Sequence, residues 1–326
     1  MIADPIKESM LRDTTKKMTG IINNYVHETI LTVVLVMTIV ILSITTDRFL
    51  SFRNIQLIFV VSSCIGIIAI GETFVMIAGG IDLSVGYAAG FGGVLCAILL
   101  ENGFGAPEAI AVALVFGAAL GLFNGMIVTV ARVNDFIATL STMTIIYGLI
   151  YSVTKGNSVP VYNKFIIDMG STIRGVLSVP VIALVILFIL GQLILSITKF
   201  GWRVYAVGDN LSAAKLSGIS TNRLKILTYV ICGVMSSWVG VLVAGRLTTA
   251  QPLAGSGYLF DVITGVVLGG VSLHGGIGSL FGTFLGVVLI VTIGNGLTLL
   301  GFAYYYQSVF QGLILIAGVA ITARRR

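Results

Sequence analysis

Charge is the first thing that this sequence has little of. Only 10% of its 326 residues are Asp, Glu, Lys or Arg, while 57% are hydrophobic and the mean hydropathy is +1.06. Soluble domains carry about 25% charged residues, so the composition excludes an ordinary soluble protein and indicates a membrane protein. The net charge of +6 does not indicate a nucleic-acid partner, because the basic residues are scattered through short loops and form no single basic patch.

Cysteine and histidine are also scarce. The three cysteines, Cys64, Cys96 and Cys232, all fall inside apolar runs, and the two histidines, His27 and His274, are far apart. Neither set has the spacing of a zinc site or of a disulfide framework. We therefore expect buried thiols, and neither a metal nor a cofactor bound by this chain.

Motifs for chemistry are missing as well. The sequence has no G-x-x-x-x-G-K-[ST] phosphate-binding loop, no H-E-x-x-H and no G-x-S-x-G, which argues against nucleotide binding by that loop and against hydrolysis inside the membrane. Carboxylates within the apolar runs are few and mostly lie near the ends of the runs, which disfavours a proton relay. We predict that the chain is not an enzyme, and that any energy for transport comes from another subunit.

What the sequence does have is apolar runs that can form membrane helices. A crossing helix needs about 20 residues, and ten candidate runs predict an all-α polytopic membrane protein. The eighth run is too short to cross unless it extends into its neighbours or enters only partway. The runs are 28–46, 54–78, 83–100, 107–131, 135–153, 176–198, 226–250, 258–270, 279–300 and 305–323.

The distribution of Lys and Arg predicts the orientation. With both termini in the cytoplasm, thirteen of the 19 basic residues lie inside and six lie outside, in agreement with the positive-inside rule. We expect a bacterial inner (plasma) membrane protein with a cytoplasmic leader at 1–27, a membrane domain at 28–323 and a basic cytoplasmic tail at 324–326. No small-residue cleavage site follows the first run, so we expect it to be retained as a helix.

The longest polar interruption is the stretch 199–225, which carries five basic residues. Within it, Asn210 is a typical helix N-cap, Ala213 and Ala214 favour helix, and Gly218 suits a C-terminal stop. This pattern predicts a short helix between Asn210 and Gly218. Such a compact knob suits docking into a groove on another protein. The alternative is a cytoplasmic loop that only holds the chain's orientation.

Glycine is abundant, with 40 residues. Many stand four apart, so that they share one helix face and let two backbones approach closely. This spacing predicts a compact bundle, with helix packing as the simplest role for each glycine. Two similar turns, 79–83 and 269–273, are interpreted as comparable tight reversals. The spaced sets are Gly117, Gly121 and Gly125; Gly86 and Gly90; Gly265 and Gly269; and Gly282 and Gly286.

Ionisable residues inside membrane segments are costly and indicate function by default. Most of them here lie near the end of a run, where structural anchoring and solute contact are both compatible with the pattern. Glu72 is the deepest and the best candidate for a buried polar bond, and Asp261 is assigned with it to a structural role. Asp82 and Ser84, next to the first glycine turn, are candidates for a solute pathway.

Hydroxyl and amide side chains within the runs add further pathway candidates. Thr139 and Thr142 stand three apart and are expected near one face with Phe136, while Asn124 and Asn295 lie in the fourth and ninth runs. An aromatic ring beside hydroxyls and amides suits a neutral polyhydroxylated solute. The alternative is hydrogen bonding between helices, which contributes about 0.6 kcal/mol per bond.

Several sequence blocks together resemble the membrane permeases of bacterial ATP-binding-cassette (ABC) importers for monosaccharides, of the ribose, galactose and xylose type. The likeness extends from about residue 46 to the C-terminus. The N-terminal segment and His274 depart from the pattern, which leaves their roles open. The blocks are GGIDLSVG at 79–86, DFIATL at 135–140, AVGDNLSAAKLSGI at 206–219, TAQPLAGSGYLFDVITGVVLGG at 249–270 and NGLTLLGFAYYYQ at 295–307.

The resemblance implies a vitamin-B12-permease-like (type II importer) fold for the ten runs, working as a homodimer or paired with a paralogue. It also implies a cytoplasmic ABC ATPase, which binds the ATP and Mg, and a periplasmic or lipid-anchored sugar-binding protein. The block at 206–219 matches the family's cytoplasmic coupling loop. The positions to which this role is carried are Gly208, Asn210, Ala213, Ala214, Leu216, Ser217, Gly218 and Ile219.

Two other functions stay open at this point. A related permease for branched-chain amino acids or nucleosides shares the architecture, although a zwitterion needs fixed charges along its path, and these are sparse here. A stand-alone ion-coupled carrier or channel is the alternative of a different class. The sequence does not identify the sugar or decide between a homodimer and a heterodimer.

Overall fold

The computed structural model describes residues 26–173 and 177–323. This part of the chain is a bundle of helices, most of them joined by short connections. The helices are α1 Val26–Thr45, α2 Phe52–Ile77, α3 Val85–Glu101, α4 Ala106–Thr129, α5 Asp135–Thr154, α6 Lys164–Gly170, α7 Val179–Ile197, α8 Lys199–Asp209, α9 Leu211–Leu216, α10 Thr221–Leu247, α11 Tyr258–Leu268, α12 Leu280–Leu299 and α13 Tyr304–Ala323.

These helices confirm the predicted all-α polytopic membrane protein. Seven helices of the described residues, namely α1, α2, α4, α5, α7, α10 and α12, are long and apolar enough to cross a membrane. The other three predicted runs form shorter apolar helices over Val85–Glu101, Tyr258–Leu268 and Tyr305–Ala320. Most of the predicted leader, 1–25, and the predicted tail, 324–326, lie outside the described residues.

Four two-residue strands lie in the connections. β1 (Val159–Pro160) pairs antiparallel with β4 (Thr249–Ala250), and β2 (Thr172–Ile173) pairs antiparallel with β3 (Leu177–Ser178). The first pair joins the long connection between α5 and α7 to the end of α10. The second pair closes that connection just before α7 begins.

Helix α10 forms the centre of the bundle and packs against α2, α3 and α4. Glycine explains how close these helices come: a Cβ at Gly117 of α4 would lie 2.4 Å from the Gly233 carbonyl oxygen of α10. Helices α11 and α12 meet in the same way, since a Cβ at Gly282 would lie 2.1 Å from the Gly269 carbonyl oxygen. The predicted close packing through spaced glycines is confirmed.

Two of the shorter helices, α3 and α11, begin inside the bundle. Ser84 and Val85, at the start of α3, are 0% and 1% exposed. Gly86 touches the segment that leads into α11, because a Cβ at Gly255 would lie 1.9 Å from the Gly86 carbonyl oxygen. From this common level α3 runs toward the end of the bundle where α4 begins, and α11 runs toward the opposite end, which carries α8 and α9.

Candidate functional site

The short helix predicted between Asn210 and Gly218 is present as α9. Asn210 caps its N-terminus, because the side-chain oxygen accepts a hydrogen bond from the Ala213 N–H at 2.9 Å. At the C-terminus Gly218 adopts a φ of +79°, and the Ile219 N–H donates to the Ala214 carbonyl at 3.1 Å. This is the Schellman stop that favours glycine, so both ends of α9 follow from local sequence.

Helix α9 stands out from the bundle. Leu216 is 91% exposed and Leu211 is 41% exposed, while Ala214 is 4% exposed and holds the helix against its neighbours. Two exposed leucines give this small helix an apolar contact surface. Of the other positions carried over from the resemblance, Asn210, Ala213, Ser217 and Gly218 are exposed and Ile219 is half-buried.

A second short helix, α8, precedes α9, and the sequence analysis did not predict it. Thr198 caps it by accepting a hydrogen bond from the Gly201 N–H at 3.2 Å, and Gly201, Val204 and Val207 form its buried face. Their three-residue spacing, beside the exposed Trp202, is the amphipathic signal by which α8 could have been found.

The end of α8 touches both connections that carry the predicted glycine turns, and it does so through backbone atoms. A Cβ at Gly208 would lie 1.8 Å from the Ile77 carbonyl oxygen and 2.4 Å from the Gly276 nitrogen. A Cβ at Gly275 would lie 2.8 Å from the Gly79 Cα. The Gly276 N–H also donates to the Ile77 carbonyl at 2.9 Å. We name Gly79, Gly208, Gly275 and Gly276 the glycine junction.

Two side chains brace the glycine junction. The Tyr205 hydroxyl of α8 donates to the Gly278 carbonyl at 2.8 Å, and Lys225 Nζ of α10 donates to the Gly79 carbonyl at 3.0 Å. Burial raises the pKa of Tyr205 to about 12, so its hydroxyl stays protonated and remains a donor at neutral pH. The two turns are therefore more than the simple reversals that we expected: both are joined to α8, and the first is also joined to α10.

The first glycine turn leads into a buried polar cluster. Glu72 and Asp82 are 0% and 1% exposed, and a Glu72 carboxylate oxygen accepts a hydrogen bond from the Asp82 backbone N–H at 3.0 Å. Asp82 Oδ1 accepts from the backbone N–H and the hydroxyl of Ser84 at 2.9 and 2.6 Å. Asn124 of α4 donates to Ser84 Oγ at 2.9 Å. The cluster links the end of α2, the start of α3 and α4.

In this structure the polar cluster is closed off from solvent. Ser84 and Asn124 are both 0% exposed, and Ser84 is the N-cap residue of α3. Among the described residues Asn124 Oδ1 has no hydrogen-bond partner. The pathway candidates Asp82, Ser84 and Asn124 thus form one group, and its geometry fixes the position of α3.

Helix α5 buries two of its three pathway candidates and exposes the third. Thr139 and Thr142 are 0% and 2% exposed, and their hydroxyls donate to the Asp135 and Ala138 carbonyls at 2.8 and 3.0 Å. Phe136 is 53% exposed. The expectation that Phe136 shares a face with both threonines is wrong, because α5 turns the threonines into the protein and Phe136 away from it.

Asn295 and Asp261 lie apart from the polar cluster. Asn295 exchanges two amide hydrogen bonds with Asn54 of α2, at 2.8 and 3.0 Å. Asp261 accepts a hydrogen bond from Gln311 of α13. Both residues line a cleft of about 260 Å³ between α2, α11, α12 and α13. The sequence placed them in different roles, and the structure brings them to one cleft.

The described residues hold no group of three or more His, Cys, Asp or Glu side chains placed to bind a metal ion. The three cysteines are free and buried, as expected. His27 Nε2 lies 2.7 Å from the Leu268 carbonyl oxygen, and His274 is exposed in the connection that follows α11. The chemistry that these sites offer is hydrogen bonding and packing.

Comparison with known proteins decides the family. The family described as "Branched-chain amino acid transport system / permease component" matches residues 54–319, a range that includes the polar cluster, the glycine junction and α9. The chain belongs to this permease family. It is therefore a transport component and a multi-pass membrane protein, as the sequence blocks predicted.

Relatives of this permease match it over most of its length. The ribose import permease protein RbsC of Bacillus subtilis (strain 168) is 38% identical over 291 residues, 88% of this chain and 90% of the relative. RbsC of Escherichia coli (strain K12) is 36% identical over 302 residues, 90% and 93% of the two chains. The L-arabinose ABC transporter permease protein AraH of Azospirillum brasilense is 33% identical over 285 residues, which cover 87% of this chain and 84% of the relative. No solved structure gives a significant match.

Proposed function

We propose that this permease is the membrane subunit of an ATP-driven importer, and that it carries a monosaccharide delivered by an extracytoplasmic binding protein. The observation that carries the proposal is the glycine junction, which joins the protruding α9 to both connections that enter the bundle. A partner that moves α9 would also move these connections, since their contacts with α8 are made by backbone atoms. The excess of Lys and Arg on this side supports a cytoplasmic location for this end of the bundle and for both termini.

A cytoplasmic ABC ATPase is the partner that we assign to α9. The exposed Leu211 and Leu216 would enter an apolar groove of that subunit, and the neighbouring Lys215, which is also exposed, would meet an acidic rim. ATP and Mg would bind to the ATPase, because this sequence has no phosphate-binding loop. When two ATPase subunits close on ATP, they would push α9. When they separate after hydrolysis, α9 would move back, so that the pathway opens alternately to the two sides of the membrane.

As the transported solute, a monosaccharide agrees better with the relatives and with the cleft lining than the branched-chain amino acid that the family's description names. Relatives at 36–38% identity are ribose import permeases, and one at 33% identity is an L-arabinose permease. A zwitterion needs fixed charges of both signs. The cleft between α2, α11, α12 and α13 has Asp261, but neither Lys nor Arg lines it in the part of the chain that the structure describes. The amino-acid permease is the second candidate.

We place the pathway between this chain and a second permease copy or a paralogue. Helix α5 exposes Phe136 together with Ser141 and Thr144, and each of the two hydroxyls donates only to its own helix, at 2.8 and 3.0 Å. Each hydroxyl can still accept a hydrogen bond, so we assign this part of α5 to a facing protein or an aqueous path. Thr139 and Thr142, which are buried, would position α5 and would not line the path.

The test is reconstitution of the permease with an ABC ATPase and a sugar-binding protein of the same organism. Uptake of radiolabelled D-ribose or L-arabinose into proteoliposomes should require ATP and both partners, and radiolabelled isoleucine serves as the comparison solute. ATP-dependent uptake of isoleucine alone would favour the second candidate. Uptake by this chain without any ATPase would favour a stand-alone carrier and contradict the proposal.

A further inference from the structure

The cleft between α2, α11, α12 and α13 extends from one end of the bundle to its middle. Along α12 its lining runs from Ile290 to Thr298, which is about 12 Å of helix. Asp261, which also lines it, lies in the first turn of α11, the helix that begins inside the bundle. The end of the cleft at Thr298 and Gln307 lies next to the α12–α13 connection, which the charge distribution assigns to the outer side.

Most of the cleft lining is apolar. Helix α2 contributes an apolar wall that includes Ile58, Val61 and Ile65. The other three helices contribute apolar side chains together with carboxylate, amide and hydroxyl groups. These polar residues are Asp261, Asn295, Thr298, Gln307, Ser308 and Gln311.

Asp261 has acceptor capacity that the protein does not use. Gln311 Nε2 donates to its Oδ1, and no described residue donates to its Oδ2. Gln307 Nε2 donates to Thr298 Oγ1 at 3.2 Å, and the side-chain carbonyl oxygens of Gln307 and Gln311 receive no hydrogen bond from a described residue. A carboxylate at this depth without a cation is costly, so a ligand that supplies donors would stabilise it.

A neutral polyol matches this arrangement. Its hydroxyls donate to carboxylate and amide oxygens and accept from amide N–H groups, while the C–H face of its ring packs against the apolar wall. An anion would be repelled by Asp261, and a lipid acyl chain would leave the carboxylate and amide groups of the cleft without partners.

We propose that this cleft is a hydroxyl-binding site within one protomer, which holds the solute before it enters the pathway between the two permease copies, with Asp261 and Gln311 as its principal polar contacts. The solute class rests on the proposed function above. The site would give the permease a selectivity of its own, in addition to that of the binding protein.

The test measures binding to the permease alone. Saturation-transfer-difference NMR is recorded with millimolar D-ribose and the permease in nanodiscs, without ATPase or binding protein. The wild type should transfer saturation to the ring protons. Asp261→Asn and Gln311→Leu should each weaken binding by about tenfold or more, since the first replaces a charged acceptor oxygen with an amide N–H donor and the second removes both hydrogen-bonding groups of the side chain. Gln192→Leu is the matched control, because Gln192 lies on α7 and does not line the cleft.

Each variant is first compared with the wild type in melting temperature, and Gln311→Leu on the outlying α13 keeps the test available if Asp261→Asn does not fold. Loss of signal in the cleft variants with a normal signal in Gln192→Leu supports the site. Unchanged binding in the cleft variants, or no wild-type signal while the complete transporter imports D-ribose, overturns the site and leaves the proposed function intact. The site is also overturned if the wild type gives no ribose signal and instead carries a bound lipid that the Asp261→Asn variant releases. Failure of the complete transporter to import any monosaccharide would instead contradict the proposed function, and with it the site.

Discussion

Replacing Gly208 with alanine should uncouple transport from ATP hydrolysis without unfolding the bundle. The added carbon would lie 1.8 Å from the Ile77 carbonyl oxygen and 2.4 Å from the Gly276 nitrogen. Carbon and oxygen in contact stand about 3.3 Å apart, so the two backbones must separate by roughly 1.5 Å. The added carbon would press on both partners of the hydrogen bond from Gly276 to Ile77. Overpacking of this kind costs about 1–3 kcal/mol, which corresponds to a roughly 5- to 150-fold change in a coupled equilibrium.

The assay compares wild-type and Gly208→Ala complexes in proteoliposomes, with D-ribose uptake and ATP hydrolysis measured in the same sample. We expect ATP hydrolysis to stay near wild type, the melting temperature to fall by a few degrees, and the uptake per ATP to fall by a factor within that range. Gly312→Ala is the matched control, because nothing lies within 4 Å of a Cβ at that position. Wild-type uptake per ATP in the Gly208→Ala complex would refute the glycine junction as the element that transmits movement.

Leu216→Glu should weaken ATPase binding by about 2 kcal/mol or more, as for a buried interface anchor; co-purification measures this, and full retention of the ATPase would contradict docking on α9. Asn124→Ala should destabilise the permease by about 1–3 kcal/mol, because Asp82 and Ser84 lose a buried donor; a melting temperature equal to wild type would argue against the polar cluster as a structural element. Tyr205→Phe should cost about 1 kcal/mol through the lost bond to Gly278. Because burial raises the pKa of Tyr205 from 10 to about 12, this stabilisation is present below pH 10 and is lost as the pH rises through 12. The difference in melting temperature between wild type and Tyr205→Phe should therefore be constant near neutral pH.

Features fixed by neighbouring residues could be predicted from the sequence. The caps of α9 depend on Asn210 and Gly218 alone, and a helix that ends at a left-handed glycine needs no distant partner. Hydropathy likewise located the membrane helices, since the length of an apolar run is a local property. The depth of Glu72 within its run indicated a buried polar bond, although its partner at Asp82 was not predicted.

Contacts between distant segments could not be predicted in this way. Tyr205 and Gly278 are 73 residues apart, and Lys225 and Gly79 are 146 residues apart, and nothing in either local pattern says which turn approaches which helix. The error at Phe136 has a related cause. Spacing along α5 shows which side chains are neighbours on its surface, but the packing of other helices decides which side is buried.

The glycine junction gives a physical reason why the two helices that begin inside the bundle would respond together. Ile77 ends α2 and Gly276 lies in the connection that follows α11, and α8 contacts both through backbone atoms, which have no rotamers to absorb a displacement. The polar cluster ties the start of α3 to α2 through Asp82, so a movement of the first turn would be passed to α3. Since α3 and the segment before α11 meet at Gly86 and Gly255, a push on α9 would reach this contact from both sides. We infer that the middle of the bundle, where the two helices start, is where such a push changes the packing most.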